Sequence, residues 1–201
     1  MRTHSVKLYA FEELSEEAQK KAVEACQYRL EQMDYSDDIT VRLEWELEEK
    51  GMPTDELEYR FSYSQGDGVA WYGGIDLKKL YETEKGLFKL TPNIVKVLKG
   101  DIIGDVEVII SRNSFGHHYA HYNTMNFDIH VNGPDSDEGH SLLEDEADRL
   151  LPVVEEYTRT MSKRVEALGY KIAEGFTSNE AAKDYAIHCM DEEFTEAGGI
   201  Y

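Results

Sequence analysis

The stretch that most constrains this chain is residues 57–71, LEYRFSYSQGDGVAW. Residues 57–64 alternate in the manner of a half-buried strand. Gln65, Gly66, Asp67 and Gly68 break that period, and Val69, Ala70, Trp71 and Tyr72 resume an apolar, aromatic run. Two extended segments around a Gly-Asp-Gly element read as a β-hairpin, because Asp-Gly supplies the positive φ that tight turns need. The chain before the hairpin reads mostly as helix, and much of the chain after it completes a sheet.

Residues 5–11 set Val6, Leu8 and Ala10 against Ser5, Lys7 and Tyr9, the pattern of a first strand. Ser15 is a helix N-cap, with Glu16 and Glu17 at the positive end of the dipole. Ala18, Ala22, Ala25, Cys26, Arg29 and Leu30 succeed it at helical spacing. A second helix runs from Asp37 or Asp38 to Lys50 and stops at Gly51. Val41 and Trp45, with Leu43 and Leu47, are its apolar residues, and Glu44, Glu46, Glu48 and Glu49 require one wet face. Residues 77–81 form a short helical turn. Thr91 caps a helix that has Pro92 in its first turn and ends at Gly100. The β-branched segments 106–110 and 126–131 read as neighbouring strands. Ser141 and Glu144 resemble a capping box opening the longest helix, expected to close at Gly169 and to kink or break at Pro152. A short extended stretch over 170–173, a last helix from Ser178 to about Met190 and a tail over 194–201 complete the chain. The expectation is a single α+β domain over residues 1–201, a mainly antiparallel sheet of about four to six strands backed by several helices.

Charge is the second constraint. The formal net charge is −20, from 21 Lys and Arg against 41 Asp and Glu. Residues 1–60 carry 8 basic against 16 acidic side chains, residues 61–134 carry 7 against 8, and residues 135–201 carry 6 against 17. Such a field repels nucleic acid and membrane surfaces and attracts basic partners. Direct nucleic-acid binding is therefore disfavoured. No apolar run reaches the roughly 20 residues of a membrane span, and the first residues carry no secretory pattern. Cys26 and Cys189 form neither a metal-type spacing nor a disulfide framework, which suits a reducing cytoplasm.

Chemistry-bearing residues gather in two places. Residues 64–68 can form a nest of backbone N–H groups for an anion, but they lack the Lys and the helix of a phosphate-binding loop. Residues 116–122 hold His117, His118 and His121 beside Tyr119 and Tyr122. On a strand His117, Tyr119 and His121 share one face while His118 points away, so a metal site would need Asp67, Asp105 or Asp128 as well. No Gly-x-Ser-x-Gly elbow is present, and the Glu44 to Glu49 run reads as a solvated face. No catalytic residue, metal or cofactor is assigned.

Several segments carry a resemblance. Residues 8–22, LYAFEELSEEAQKKA, resemble the opening of a family of small phage and prophage proteins, and residues 61–71, FSYSQGDGVAW, are similar to its central motif. Residues 119–125, YAHYNTM, and 194–198, FTEAG, are similar to its later elements. Some members of that family are described as antitoxin-like, so the resemblance implies phage origin and neutralisation of a host system. The leading expectation joins this to the charge: a non-enzymatic, antitoxin-like or anti-defence inhibitor in the host cytoplasm. It would occupy a basic bacterial protein through an acidic surface that mimics nucleic acid electrostatically, with Glu44, Glu48 and Glu49 at the contact. The alternative is a binder that sequesters a small signalling nucleotide. Its site would use Ser64, Gln65, Gly66, Asp67, Gly68, Trp71, Tyr119 and His121, with Tyr72 and Tyr122 as further aromatics and Arg112 or Arg60 for the phosphates. A metal-dependent hydrolase using His117, His121 and Asp67 ranks third.

Overall fold

The structure, a computed structural model, describes residues 6–87, 91–101, 103–113, 119–132, 137–188 and 193–201. The fold is α+β, with one four-stranded antiparallel sheet and six helices among the described residues. The strands are β1 (Glu56–Arg60), β2 (Gly68–Ile75), β3 (Asp105–Arg112) and β4 (Met125–Asn132), paired in chain order. The helices are α1 (Glu16–Leu30), α2 (Ser36–Glu48), α3 (Leu77–Thr83), α4 (Pro92–Lys99), α5 (Asp137–Phe176) and α6 (Asn179–His188). Two compact units divide the chain: residues 38–170, and residues 1–37 together with 171–201.

The unit of residues 38–170 is built on the sheet. β3 buries Val106, Val108 and Ile110 and exposes Asp105 and Glu107, the alternation of a strand with one dry face. β2 differs, with Gly68 to Tyr72 buried at every position, so both of its faces are covered. The Ser162 hydroxyl of α5 donates to the Val69 carbonyl at 2.8 Å. Leu43, Leu47, Trp71, Leu80, Ile94, Leu150 and Val154 have essentially no exposure, and burial of each aliphatic side chain among them contributes about 1.5–3 kcal/mol.

The local signals at α4 show where sequence reading succeeds and stops. Pro92 opens the helix and Gly100, at φ 78°, closes it as expected. Thr91 makes no capping hydrogen bond through its side chain. The carboxylate of Glu146, on α5, does that work instead, accepting from the N–H groups of Asn93 (2.8 Å) and Ile94 (3.1 Å) and from the Asn93 amide (2.8 Å). A negative group there answers both the orphan donors and the dipole of the helix.

Three expectations are corrected. α5 begins before Ser141, continues through Pro152, and passes Gly169 to end at Phe176, so residues 170–173 are helical rather than extended. Gly169 is an internal glycine, where a Cβ would overlap the Phe61 ring. α2 buries Ile39, Leu43 and Leu47, leaving Val41 and Trp45 64% and 63% exposed. Residues 6–11 form no strand: Tyr9 makes a lone bridge to Phe194, with a 3-10 turn next at Phe11–Glu13. Ser5 and Met190, named in the expected elements, lie outside the described residues.

The second unit is an α1 and α6 pair closed by the last residues. Ala18, Ala22, Cys26 and Leu30 recur every fourth position of α1 and form one core with Ala182, Ala186, Phe11, Leu14 and Phe194. Small residues on both helices permit close approach. Tyr9 and Phe194 exchange backbone hydrogen bonds of 2.9 and 3.0 Å, and the Phe11 and Phe194 rings meet edge to face at 6.2 Å. The expected tail is thus anchored to the core through Phe194, with Ile200 packed against it. Gly198 has φ 86°, and a Cβ there would overlap the Ala18 carbonyl. Gly198→Ala therefore lowers stability by more than about 1 kcal/mol in urea unfolding. Alanine at exposed Glu196 stays within about 0.5 kcal/mol of the parent.

Candidate functional site

The hairpin pairs Arg60 with Gly68 as its last register step, so residues 61–67 form a seven-residue loop rather than a tight turn. Positive φ occurs at Tyr63 (56°) and Gly68 (151°) and not at Asp67. Asp67 shapes the loop by its side chain, which is only 7% exposed. Its Oδ1 accepts from the hydroxyls of Ser62 (2.7 Å) and Ser64 (2.8 Å). Its Oδ2 accepts from the N–H groups of Ser62 (2.5 Å) and Ser64 (3.1 Å) and from the Tyr170 hydroxyl on α5. The Asp67 N–H donates to the Ser64 carbonyl at 3.1 Å.

This cage sets the electrostatics. Burial alone would raise the pKa of Asp67, but the donors from Tyr170, Ser62 and Ser64 outweigh it and hold the carboxyl well below the usual carboxylate range. The same hydrogen bond to Asp67, with burial and the Asp67 charge, pushes the Tyr170 phenol up to about 12. Rings clamp the loop further. Phe61 lies 5.1 Å from both Tyr59 and Tyr170, and Tyr63 lies 4.7 Å from Tyr170. Tyr63 holds a left-handed backbone that bulky residues rarely adopt, and its side chain is exposed.

The outer side of the loop borders a cavity of about 400 Å³ lined by Gln65, Tyr119, His121, Asn123 and Thr124. Gly66 lies against the Tyr119 ring, where a Cβ would come within 2.6 Å of Cε1. Gly68 passes equally close to residue 120, where a Cβ would meet the Ala120 carbonyl at 2.5 Å. His121 Nδ1 accepts from the Asn123 N–H at 3.1 Å. The Thr124 hydroxyl donates to the His121 carbonyl at 2.7 Å and lies 2.9 Å from the Tyr72 hydroxyl.

The fold therefore sorts the residues expected at this loop. Gln65, Tyr119 and His121 converge on the cavity, and Gly66 seats Tyr119. Ser64 and Asp67 bond to each other, and both Asp67 oxygens are taken by donors, leaving no free edge for a metal. Trp71 is fully buried and Tyr72 is 3% exposed, so neither offers a stacking face. Arg112 is paired with Glu58 and lies over the Tyr72 ring at 4.8 Å, while Arg60 is exposed at the end of β1. His117, His118 and Cys189 lie outside the described residues. Among the described residues no three His, Cys, Asp or Glu side chains gather as a metal site would require. Ser62 and Tyr170 were missed by sequence reasoning. The Ser-x-Ser-x-x-Asp spacing is a local signal for the first, and nothing local marks the second.

The acidic positions lie elsewhere. On α2, Glu48 and Glu49 are exposed and Glu44 is half-buried. Glu46 turns inward, its side chain 15% exposed and ion-paired with Arg164 at 2.6 Å. No helix among the described residues is long and apolar enough to cross a membrane. Comparison with family models, curated proteins and solved structures gives no match to this chain.

The Asp67 cage has a pH signature. Because the folded carboxyl is depressed, its stabilisation is complete above the unfolded value of about 3.9 and is lost as pH falls toward the folded value. Asp67→Asn lowers stability at neutral pH and shows a shallower loss below about pH 4, read from denaturant midpoints across pH. Equal acid limbs for the two proteins would remove the cage from the stability of the fold.

Proposed function

We propose that this protein is a non-enzymatic inhibitor that binds a basic bacterial protein, in the manner of a phage-encoded antitoxin-like or anti-defence factor. The observation that carries the reading is the outward face of α2. At 100° per residue, Val41 and Trp45 stand opposite the buried Ile39, Leu43 and Leu47. Glu44 and Glu48 flank them on one side and Asp38 and Glu49 on the other. An exposed Trp with an apolar neighbour one turn away, rimmed by carboxylates, has the make-up of a docking ridge: an aromatic anchor inside a charged rim. The rim selects a partner of opposite charge and speeds its approach, and the anchor supplies affinity once water is expelled.

The charge of the whole chain supports the same direction. Residues 1–37 and 171–201 carry 7 basic against 15 acidic side chains, and residues 38–170 carry 14 against 26, so acid predominates in both units. A basic, nucleic-acid-binding surface would meet in this protein the sign of charge it normally meets in nucleic acid. That is mimicry in its electrostatic sense. The resemblance to phage and prophage proteins supplies the biological setting.

The test is capture from bacterial lysate and then affinity measurement on the captured protein. Trp45→Ala weakens the complex about thirtyfold, the scale of a roughly 2 kcal/mol hot spot. Lysine at Glu44, Glu48 and Glu49 together slows association, and the parent complex weakens as salt rises. A partner whose affinity is indifferent to salt and to both variants would overturn this reading.

A further inference from the structure

The cavity beside the residue 61–67 loop has a chemistry unlike the acidic α2 face. Among the described residues its lining includes no Lys, Arg, Asp or Glu. About 400 Å³ lies within the range of small-molecule sites. Tyr119 contributes a ring that is 50% exposed, positioned by its contact with Gly66. The side-chain amides of Gln65 and Asn123 are exposed, each with a donor and an acceptor, and neither bonds to another described residue. His121 has its Nδ1 lone pair occupied by the Asn123 N–H, so a neutral ring carries its proton on Nε2 and keeps one further donor. The Thr124 hydroxyl is engaged with His121 and Tyr72 and makes a fixed wall.

We propose that this cavity binds the base of a nucleoside, with Tyr119 as the stacking ring and Gln65 and Asn123 as readers of the hydrogen-bonding edge. A stacking ring beside amide edges is complementary to a flat, uncharged heterocycle bearing alternating donors and acceptors. A phosphate group finds no cationic side chain among the described lining residues, and Arg112, one of the two cations considered for that role, is held by Glu58. The net charge of −20 further opposes a polyphosphate or a strand. The ligand is therefore read through its base, and the buried Trp71 and Tyr72 take no part. This site is independent of the α2 face, and either can fail without the other.

Isothermal titration calorimetry of the full chain with adenosine, guanosine, cytidine and uridine tests the proposal. Their 5′-triphosphates and single-stranded oligonucleotides form separate arms. The expected result is one-to-one binding of at least one nucleoside, weakened about tenfold or more by Tyr119→Ala and retained by Tyr119→Phe. Gly66→Ala, which displaces the ring without demanding a positive φ, weakens binding similarly. Gln65→Ala or Asn123→Ala, both at exposed positions, alters the preference among bases. Absence of binding by all four nucleosides overturns the proposal. So does binding confined to triphosphates or oligonucleotides, which would make phosphate the recognised group, and so does nucleoside affinity unchanged in Tyr119→Ala. Thermal melting of each variant identifies any loss that comes from unfolding. If Tyr119→Ala melts, the Gly66→Ala and Gln65→Ala titrations decide.

Discussion

The carboxylate of Asp67 is the interaction on which the central part of this molecule depends. A nearly buried charge is costly unless it is fully hydrogen-bonded. Here five donors surround it: two hydroxyls and two N–H groups from Ser62 and Ser64, and the phenol of Tyr170. Four of these fold the loop onto itself, and the fifth ties it to α5. One side chain thereby sets both the shape of the hairpin end and its docking position. Removing any donor leaves the rest facing an under-satisfied charge, so the group acts as a unit. Gly66, the seat of Tyr119, is where it is because its neighbour is held inside this cage.

Polar side chains play the same architectural part elsewhere in the unit. Glu146 holds the first turn of α4 across 53 positions of sequence, and Ser162 takes up the Val69 carbonyl of a strand covered on both faces. Each satisfies a backbone group that burial would otherwise leave without water. Such bonds do little for net stability compared with apolar burial, but a wrong packing would leave the same groups unpaired. They select one arrangement of helices on the sheet.

Acidic side chains on and beside α2 divide between ion pairs and solvent. Glu46 and Glu84 are taken up by Arg164 and Lys50, whereas Glu48 and Glu49 stay in solvent around Trp45. An apolar ridge within an acidic rim and a neutral cavity beside the hairpin loop are separate surfaces with separate selectivities. In the proposed role the first would answer to the sign of a partner's charge. In the proposed role the second would take an uncharged ligand by shape and hydrogen-bond pattern, and the net charge of the chain exerts no force on such a ligand.

Much of the architecture was legible from local pattern. The alternation over β3 and β4, the Pro92 and Gly100 limits of α4, and the hairpin of β1 and β2 all rest on interactions within a few residues of chain, which composition records directly. The candidate cavity was legible in part, because Gln65, Tyr119 and His121 stood out as chemistry-bearing types. Their convergence was not, since the loop that brings them together closes on Tyr170, 103 positions away. The same limit applies to Gly169, which reads as a helix stop and is instead the space that the Phe61 ring occupies. α2 shows the limit most simply. Its apolar residues lie on two opposite faces, Ile39, Leu43 and Leu47 on one and Val41 and Trp45 on the other. Periodicity alone permits either to turn inward. Packing decided it: three aliphatic side chains at i, i+4 and i+8 form a continuous stripe that fills the core, and the tryptophan was left in water.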